Sequence, residues 1–149
     1  MQRVLSTYDR VVQWLSGRWV ESGALLLTRL ALAGVFWRSG RTKVVEGSWL
    51  TIDETQYFLF EEFGLPLSPE IMVPVTTFAE FALPILVALG LMTRFAALAL
   101  LGMTLVIQLF IFPEAWWPTH SLWAAMALVL VSRGGGQFSL DAVLARARN

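Results

Sequence analysis

The stretch "TTFAEFALPILVALGLM", Thr76 to Met92, is apolar enough to cross a bilayer and yet carries a carboxylate, Glu80, near its middle. An ionisable group at bilayer mid-depth costs roughly 2.5–3.5 kcal/mol on insertion scales, so it normally faces a partner or a polar cavity. A second run, "LLLTRLALAG", Leu25 to Gly34, sets Arg29 in equally apolar surroundings. Opposite charges inside separate apolar runs are the pattern of a membrane helix bundle that hides polar groups in its interior.

Composition agrees. Of 149 residues, 56% are hydrophobic and 15% charged, whereas a soluble domain carries about a quarter charged residues. The chain reads as an all-α, polytopic membrane protein. Its formal net charge is zero, which argues against nucleic acid as a partner. The sequence contains no cysteine, which excludes disulfides, thiolate nucleophiles and Cys-ligated iron–sulfur clusters within this chain. A single histidine, His120, cannot supply two imidazole ligands to a haem. No carboxylate cluster has metal-site spacing, and no Gly-rich loop follows a strand as nucleotide binding requires.

Four apolar runs are long enough, or nearly so, to be membrane helices. They cover about Gly23 to Gly40, Ile71 to Met92, Phe95 to Phe112 and Trp116 to Val131. The second and third are joined only by Thr93 and Arg94, which predicts a tight antiparallel hairpin. The expected architecture is a single four-helix transmembrane bundle over residues 1–149, with flanking amphipathic helices and an external loop capping one mouth. If both ends share one side, that side collects Arg3, Arg10, Arg18, Arg94, Arg133, Arg146 and Arg148. The positive-inside rule then places both termini in the cytoplasm, against the opposing trio Arg38, Arg41 and Lys43.

The N-terminus carries charges throughout and lacks a compact apolar core, so it does not read as a signal peptide. In "YDRVVQWLSGRWV", Val11, Trp14, Leu15 and Trp19 recur at near-helical spacing among arginines, as in an interfacial helix. Near the other end, "GGGQFSLDAVLARARN" reads as a glycine helix stop followed by a short helix capped by Ser139. The long connection from Arg41 to Glu70 contains "TIDETQYFLFEEFGLP", a short helix started by Asp53 or Thr51 and ended at Gly64-Leu65-Pro66. Its aromatics Tyr57, Phe58, Phe60 and Phe63 place it on the bundle's outer mouth, as a lid or as a plug against lipid.

Helical spacing puts Arg29, Ala33, Phe36, Gly40 and Lys43 on one face of the first span. The second offers Thr76 or Thr77, Glu80 and Pro84, and Pro84 removes the amide that would bond the Glu80 carbonyl. The third contributes Thr104 and Gln108, and the fourth begins with His120. Counting helical rise inward from the span ends sets Arg29 and Glu80 near mid-depth, with Thr76, Lys43, Gln108 and His120 in the outer half. The expectation is an Arg29–Glu80 pair forming the floor of a polar pocket that opens outward beneath the aromatic loop. The competing reading is that such a pair fixes helix register and nothing more.

At these residues the chain resembles the DoxX family of small four-helix bacterial membrane proteins. The resemblance covers about Leu25 to Leu144 and rests on "LLTRLALAGVFWRSGRTKV", on "AEFALPILVALGLMTRFAALAL" and on "GGGQFSLDAVL". Where a histidine is frequent before the glycine of the first span, this chain has Ser39. The family takes its name from a membrane subunit of a thiosulfate:quinone oxidoreductase, and other relatives are linked to redox and oxidative-stress partners. The resemblance therefore implies a redox-linked component of the bacterial inner membrane, without supplying the chemistry of this chain.

Two functional readings follow. In the first, the chain is a quinone-interacting subunit of an oxidoreductase, with Arg29, Glu80 and His120 as the catalytic set. Glu80 and His120 pass protons and Arg29 stabilises anionic charge. Phe36, Lys43, Thr76, Gln108 and Trp123 then bind the ligand, and a partner protein supplies the electrons. The residues themselves specify no cofactor; quinone is the candidate. In the second, the chain is a non-catalytic anchor or assembly partner, in the bilayer as a homo-oligomer or with other subunits. A proton-coupled carrier is weaker, because four spans without an inverted repeat leave little room for alternating access.

Overall fold

The computed structural model describes residues 2–49 and 51–148, with side chains from Ser6 onward; the side chain of Arg3 lies outside the described part. Its helices are α1 (Gln2–Leu15), α2 (Arg18–Arg41), α3 (Thr55–Glu62), α4 (Pro69–Leu89), α5 (Thr93–Val106), α6 (Ser121–Arg133) and α7 (Leu140–Ala147). α5 runs on into a π-helical turn, Ile107–Ile111, and a second π-helical turn, Trp116–His120, leads into α6. Among the described residues, β structure is confined to one bridge between Val44 and Ile52.

The fold is an all-α membrane bundle. α2 packs on α4 and α6, and α5 packs on the same two helices, so four helices form a ring. Arg18–Arg41, Pro69–Leu89 and Thr93–Ile111 are long and apolar enough to cross a bilayer. The fourth is shorter, a thirteen-residue α6 extended at its start by the π-helical turn. Between the helices sit Leu25, Leu32, Phe36, Val87, Ala97, Leu100, Ala127 and Leu130, all buried. The outer surface is apolar as well: Leu27, Phe78, Phe95 and Leu109 are each 70% exposed or more. Surface of that kind requires lipid around it.

Two glycines set the register of α2 on α4. A Cβ on Gly40 would lie 3.2 Å from the Cβ of Glu80 and 3.3 Å from its carbonyl oxygen, so the two helices touch there. A Cβ on Gly90 would overlap the guanidinium of Arg29. Gly90 also ends α4 in the left-handed region at φ +70, where a side chain is strained. Antiparallel α2 and α4 are therefore staggered: the middle of α4 meets the end of α2, and the end of α4 meets the middle of α2. The first turns of α4 project past α2 and carry the long connection with α3.

At the opposite end, the C-terminal segment clasps the α4–α5 turn. The Asp141 carboxylate accepts hydrogen bonds from the Met92 amide (2.8 Å), the Thr93 amide (2.9 Å) and the Thr93 hydroxyl (2.7 Å). It thereby caps the start of α5, where amides lack helical partners. The Asp141 amide in turn donates to the Gly90 carbonyl at 2.9 Å. Ser139 caps α7 as expected, accepting from the Ala142 amide at 3.2 Å. The glycines before it do more than stop a helix, since Gly135 and Gly136 lie against Ser139, Thr93 and Leu25 where side chains would collide.

The amphipathic helix expected across Tyr8 to Val20 is broken in two. Ser16 bonds back to the Val12 carbonyl at 2.8 Å and Gly17 is extended, so α1 ends at Leu15 and Trp19 belongs to α2. Trp19 packs on Phe138, with ring centroids 5.7 Å apart.

Replacing Gly90 with Ala is expected to cost at least about 2 kcal/mol through overlap and strain, a fall of roughly 5 °C or more in unfolding midpoint. Gly34→Ala, where a Cβ meets nothing within 4 Å, should be neutral or stabilise by up to about 1 kcal/mol. Thermal unfolding of the purified variants in detergent compares them.

The clasp is pH-dependent. Burial acts to raise the Asp141 carboxyl, but the Thr93 and Met92 hydrogen bonds and the charge of Arg29 outweigh it and hold the group below its ordinary value. A carboxyl depressed on folding adds stability above its unfolded value, about 3.9, and loses it as pH falls through the lower folded value. Acidification below about pH 4 should therefore release the C-terminal segment, read as faster amide exchange at residues 137–147. Asp141→Asn should show that faster exchange already at neutral pH.

Candidate functional site

α2, α4 and the start of α6 enclose a cavity of about 610 Å³ at the end of the bundle that α3 covers. Most of its wall is apolar, from Val35 and Phe36 on α2, Met72 and Val75 on α4, and Met103 and Ile107 on α5 and its extension. Leu59, Phe60 and Phe63 form the cover. The aromatic loop thus divides: Phe60 is buried whereas Phe58 is 70% exposed. Of the two residues expected at the start of this helix, Asp53 lies just before its N-cap Glu54, its Oδ1 accepting from the Thr55 amide at 2.9 Å and from the Thr55 hydroxyl at 2.8 Å. Those bonds hold the Asp53 carboxyl below its ordinary value.

One polar centre in the wall is an ion pair. Lys43 Nζ donates to Glu80 Oε2 at 2.6 Å and to Oε1 at 2.8 Å. The Ser39 hydroxyl donates to Oε1 at 3.1 Å. The side chains of Lys43 and Glu80 are 12% and 3% exposed, so water screens them little. The arrangement follows from the local sequence. Gly40 lets α2 lie against Glu80, Ser39 sits beside that contact, and Lys43 follows the end of α2 and turns back over it.

The second centre is His120. Its Nδ1 is 2.7 Å from Gln108 Oε1, and Gln108 Nε2 donates to the Pro113 carbonyl at 2.6 Å. The second bond orients the amide, so its oxygen faces the ring and Nδ1 carries the proton. In the neutral imidazole Nε2 is then the acceptor. Trp123 packs on both sides of this centre, 4.9 Å from the His120 ring and 5.8 Å from Phe36 by centroids.

Six residues anticipated from the sequence, Phe36, Lys43, Thr76, Glu80, His120 and Trp123, line this one cavity. Gln108 stands behind His120 as its hydrogen-bond partner. Thr76 borders the cavity with its hydroxyl turned to its own helix, donating to the Met72 carbonyl at 2.8 Å. Thr104 likewise bonds the Leu100 carbonyl at 2.8 Å and does not link helices. Ser39 was not anticipated as a site residue, although its place in the last turn of the first span, four residues before Lys43, is the signal that could have found it.

Arg29 corrects the sequence expectation: it does not pair with Glu80 and does not line the cavity. Fully buried, it donates through Nη2 to the Phe138 carbonyl at 2.7 Å. Its Nε and Nη1 have no hydrogen-bond partner among the described residues. The reason is the stagger. Counting depth from span ends assumes level starts, but Glu80 lies opposite Gly40 and Arg29 opposite Gly90. Eleven residues along α2, about 16 Å of helical rise, separate the two charges. Arg29 belongs to the clasp, where the charge of Asp141 accompanies it.

The arrangement can hold a mostly apolar molecule and offer it two polar anchors. One is an ammonium–carboxylate–hydroxyl cluster that donates hydrogen bonds, and the other is an imidazole set in one tautomer. Removing only Lys43, as in Lys43→Met, leaves the Glu80 carboxylate buried with Ser39 alone and should destabilise by about 3–5 kcal/mol. The double change Lys43→Met with Glu80→Leu should cost clearly less, because no charge is stranded. Unfolding midpoints of both variants in detergent, compared with the parent protein, test this.

A family model described as DoxX matches residues 24–113 of the chain. The chain finds no match among curated proteins or among solved structures.

Proposed function

The chain belongs to the DoxX family, and from that premise we propose a redox-associated membrane protein whose α3-covered cavity binds a quinone as substrate. One observation carries the reading: the Lys43–Glu80–Ser39 cluster and the His120–Gln108 pair open into a single, largely apolar cavity. A quinone ring suits such a space, being flat and apolar with an oxygen at either end. Its conversion to quinol takes two electrons and two protons. A partner protein supplies the electrons, and the two protons come from the aqueous side: Glu80 takes one up at a carboxylate oxygen and His120 the other at Nε2, and each passes it to a quinone oxygen. The positive charge expected of Arg29 is provided by Lys43, whose ammonium favours negative charge gathering on a ligand oxygen. Ser39 positions the Glu80 carboxylate for this work.

The protein sits in the bacterial inner membrane with both termini in the cytoplasm, on the strength of its arginine distribution. The cavity then opens to the far side. α3 and its aromatic residues serve as the cover through which a ligand enters.

Quenching of tryptophan fluorescence by a short-chain ubiquinone, titrated into purified protein, tests the reading. Trp123→Phe should remove most of the quenching. Glu80→Gln, which keeps the shape and a hydrogen-bonding group, and His120→Ala should each weaken binding roughly tenfold, equivalent to about 1.4 kcal/mol. Unchanged affinity in both variants, with unfolding midpoints near that of the parent, would leave the chain as an anchor whose cavity is only structural.

A further inference from the structure

A second cavity, of about 690 Å³, lies at the clasp end of the bundle, remote from the first. Four arginines line it, each from a different part of the chain: Arg18 at the start of α2, Arg94 at the start of α5, Arg133 at the end of α6, and Arg148 after α7. Two carboxylates share the wall, Glu21 and Asp141, and both are already engaged. Glu21 pairs with Arg133 at 2.9 Å, and Asp141 caps α5. Among the described residues, four guanidinium groups face two carboxylates in this wall, so positive charge is in excess. Arg94 is fixed in place by Nη1, which donates to the Val131 and Ser132 carbonyls at 2.8 Å each. Its remaining donors are left for another acceptor.

Beside the polar Ser22, Thr93 and Gln137, the wall has an apolar part made by Leu91, Phe95 and Leu144. Phe95 is 71% exposed on the outer face of α5. The cavity therefore joins a cationic floor to the surface that lipid covers. Three apolar spans begin or end around it, which sets the arginines at the depth of lipid headgroups. Guanidinium forks match phosphate oxygens in geometry as well as in charge.

We infer that this cavity is a binding site for an anionic phospholipid, with the headgroup phosphate among Arg18, Arg94 and Arg148 and an acyl chain running past Phe95. The inference is independent of what occupies the α3-covered cavity. It assigns the C-terminal segment a role beyond packing, because Arg148 and the turn at Gly134 complete the site only when the clasp is closed.

Native mass spectrometry of the full-length protein in mild detergent, with phosphatidylglycerol, phosphatidylcholine or inorganic phosphate added, tests it. Phosphatidylglycerol should form a one-to-one adduct that survives at least roughly tenfold better than that of phosphatidylcholine. The double variant Arg18→Gln with Arg148→Gln changes two guanidinium groups that take part in no ion pair among the described residues. It should lose that preference, while Arg18→Lys with Arg148→Lys retains most of it. An unchanged unfolding midpoint in lipid-free detergent shows that the Gln variant is folded. Equal retention of the two lipids, an undiminished adduct in the folded Gln variant, or displacement of the lipid by millimolar phosphate would overturn the assignment.

Discussion

The contact of Gly40 with Glu80 governs the rest of the molecule. A helix without a side chain at that point can lie directly on the backbone of its neighbour, and the carboxylate is pressed against α2 with no path to lipid. Pro84, one turn later on α4, cannot donate to the Glu80 carbonyl, which leaves the region around Glu80 rich in acceptors. Buried acceptors require donors. Ser39 and Lys43 are the groups that α2 brings within reach, and both bond the carboxylate. A single small residue thus sets the helix register, the ion pair and the polar wall of the cavity together.

The same register separates the charges of the bundle into two groups with a dry interior between them. Leu32, Val87, Leu100, Ala127 and Leu130 fill the space that an Arg29–Glu80 pair would have needed. Arg29 works at the clasp, where it joins α2 to the backbone before α7. Polar chemistry at one end therefore depends on a close helix contact, and at the other on a loop whose glycines admit it.

The readings that survived were those needing only local information. Apolar runs marked the helices, Ser139 was legible as a cap because capping is a matter of one turn, and helical spacing placed Phe36 and Lys43 on a common face. Thr76, Glu80, His120 and Trp123 were recognised as inward-facing because polar or amphipathic groups in a bilayer segment have few other places to go. The helix over Tyr8 to Val20 breaks for a local reason, at Ser16 and Gly17, while the other misplaced readings required knowing how far one helix slides along another. Arg29 was assigned to Glu80 for that reason, and Ser39 was passed over because its partner lies 41 residues away on a helix whose level was unknown.

Composition and periodicity by themselves determined that this chain is an all-α membrane bundle and roughly where its long apolar helices lie. These follow from solvation and backbone geometry, which act residue by residue. Only the tertiary structure decided that Glu80 belongs to Lys43, that Arg29 belongs to the C-terminal clasp, and that two cavities stand at opposite ends. Those outcomes turn on the stagger of α2 against α4, set by steric fit of Gly40 on Glu80 and of Gly90 on Arg29, residues far apart in sequence, and hydropathy carries no measure of such fit.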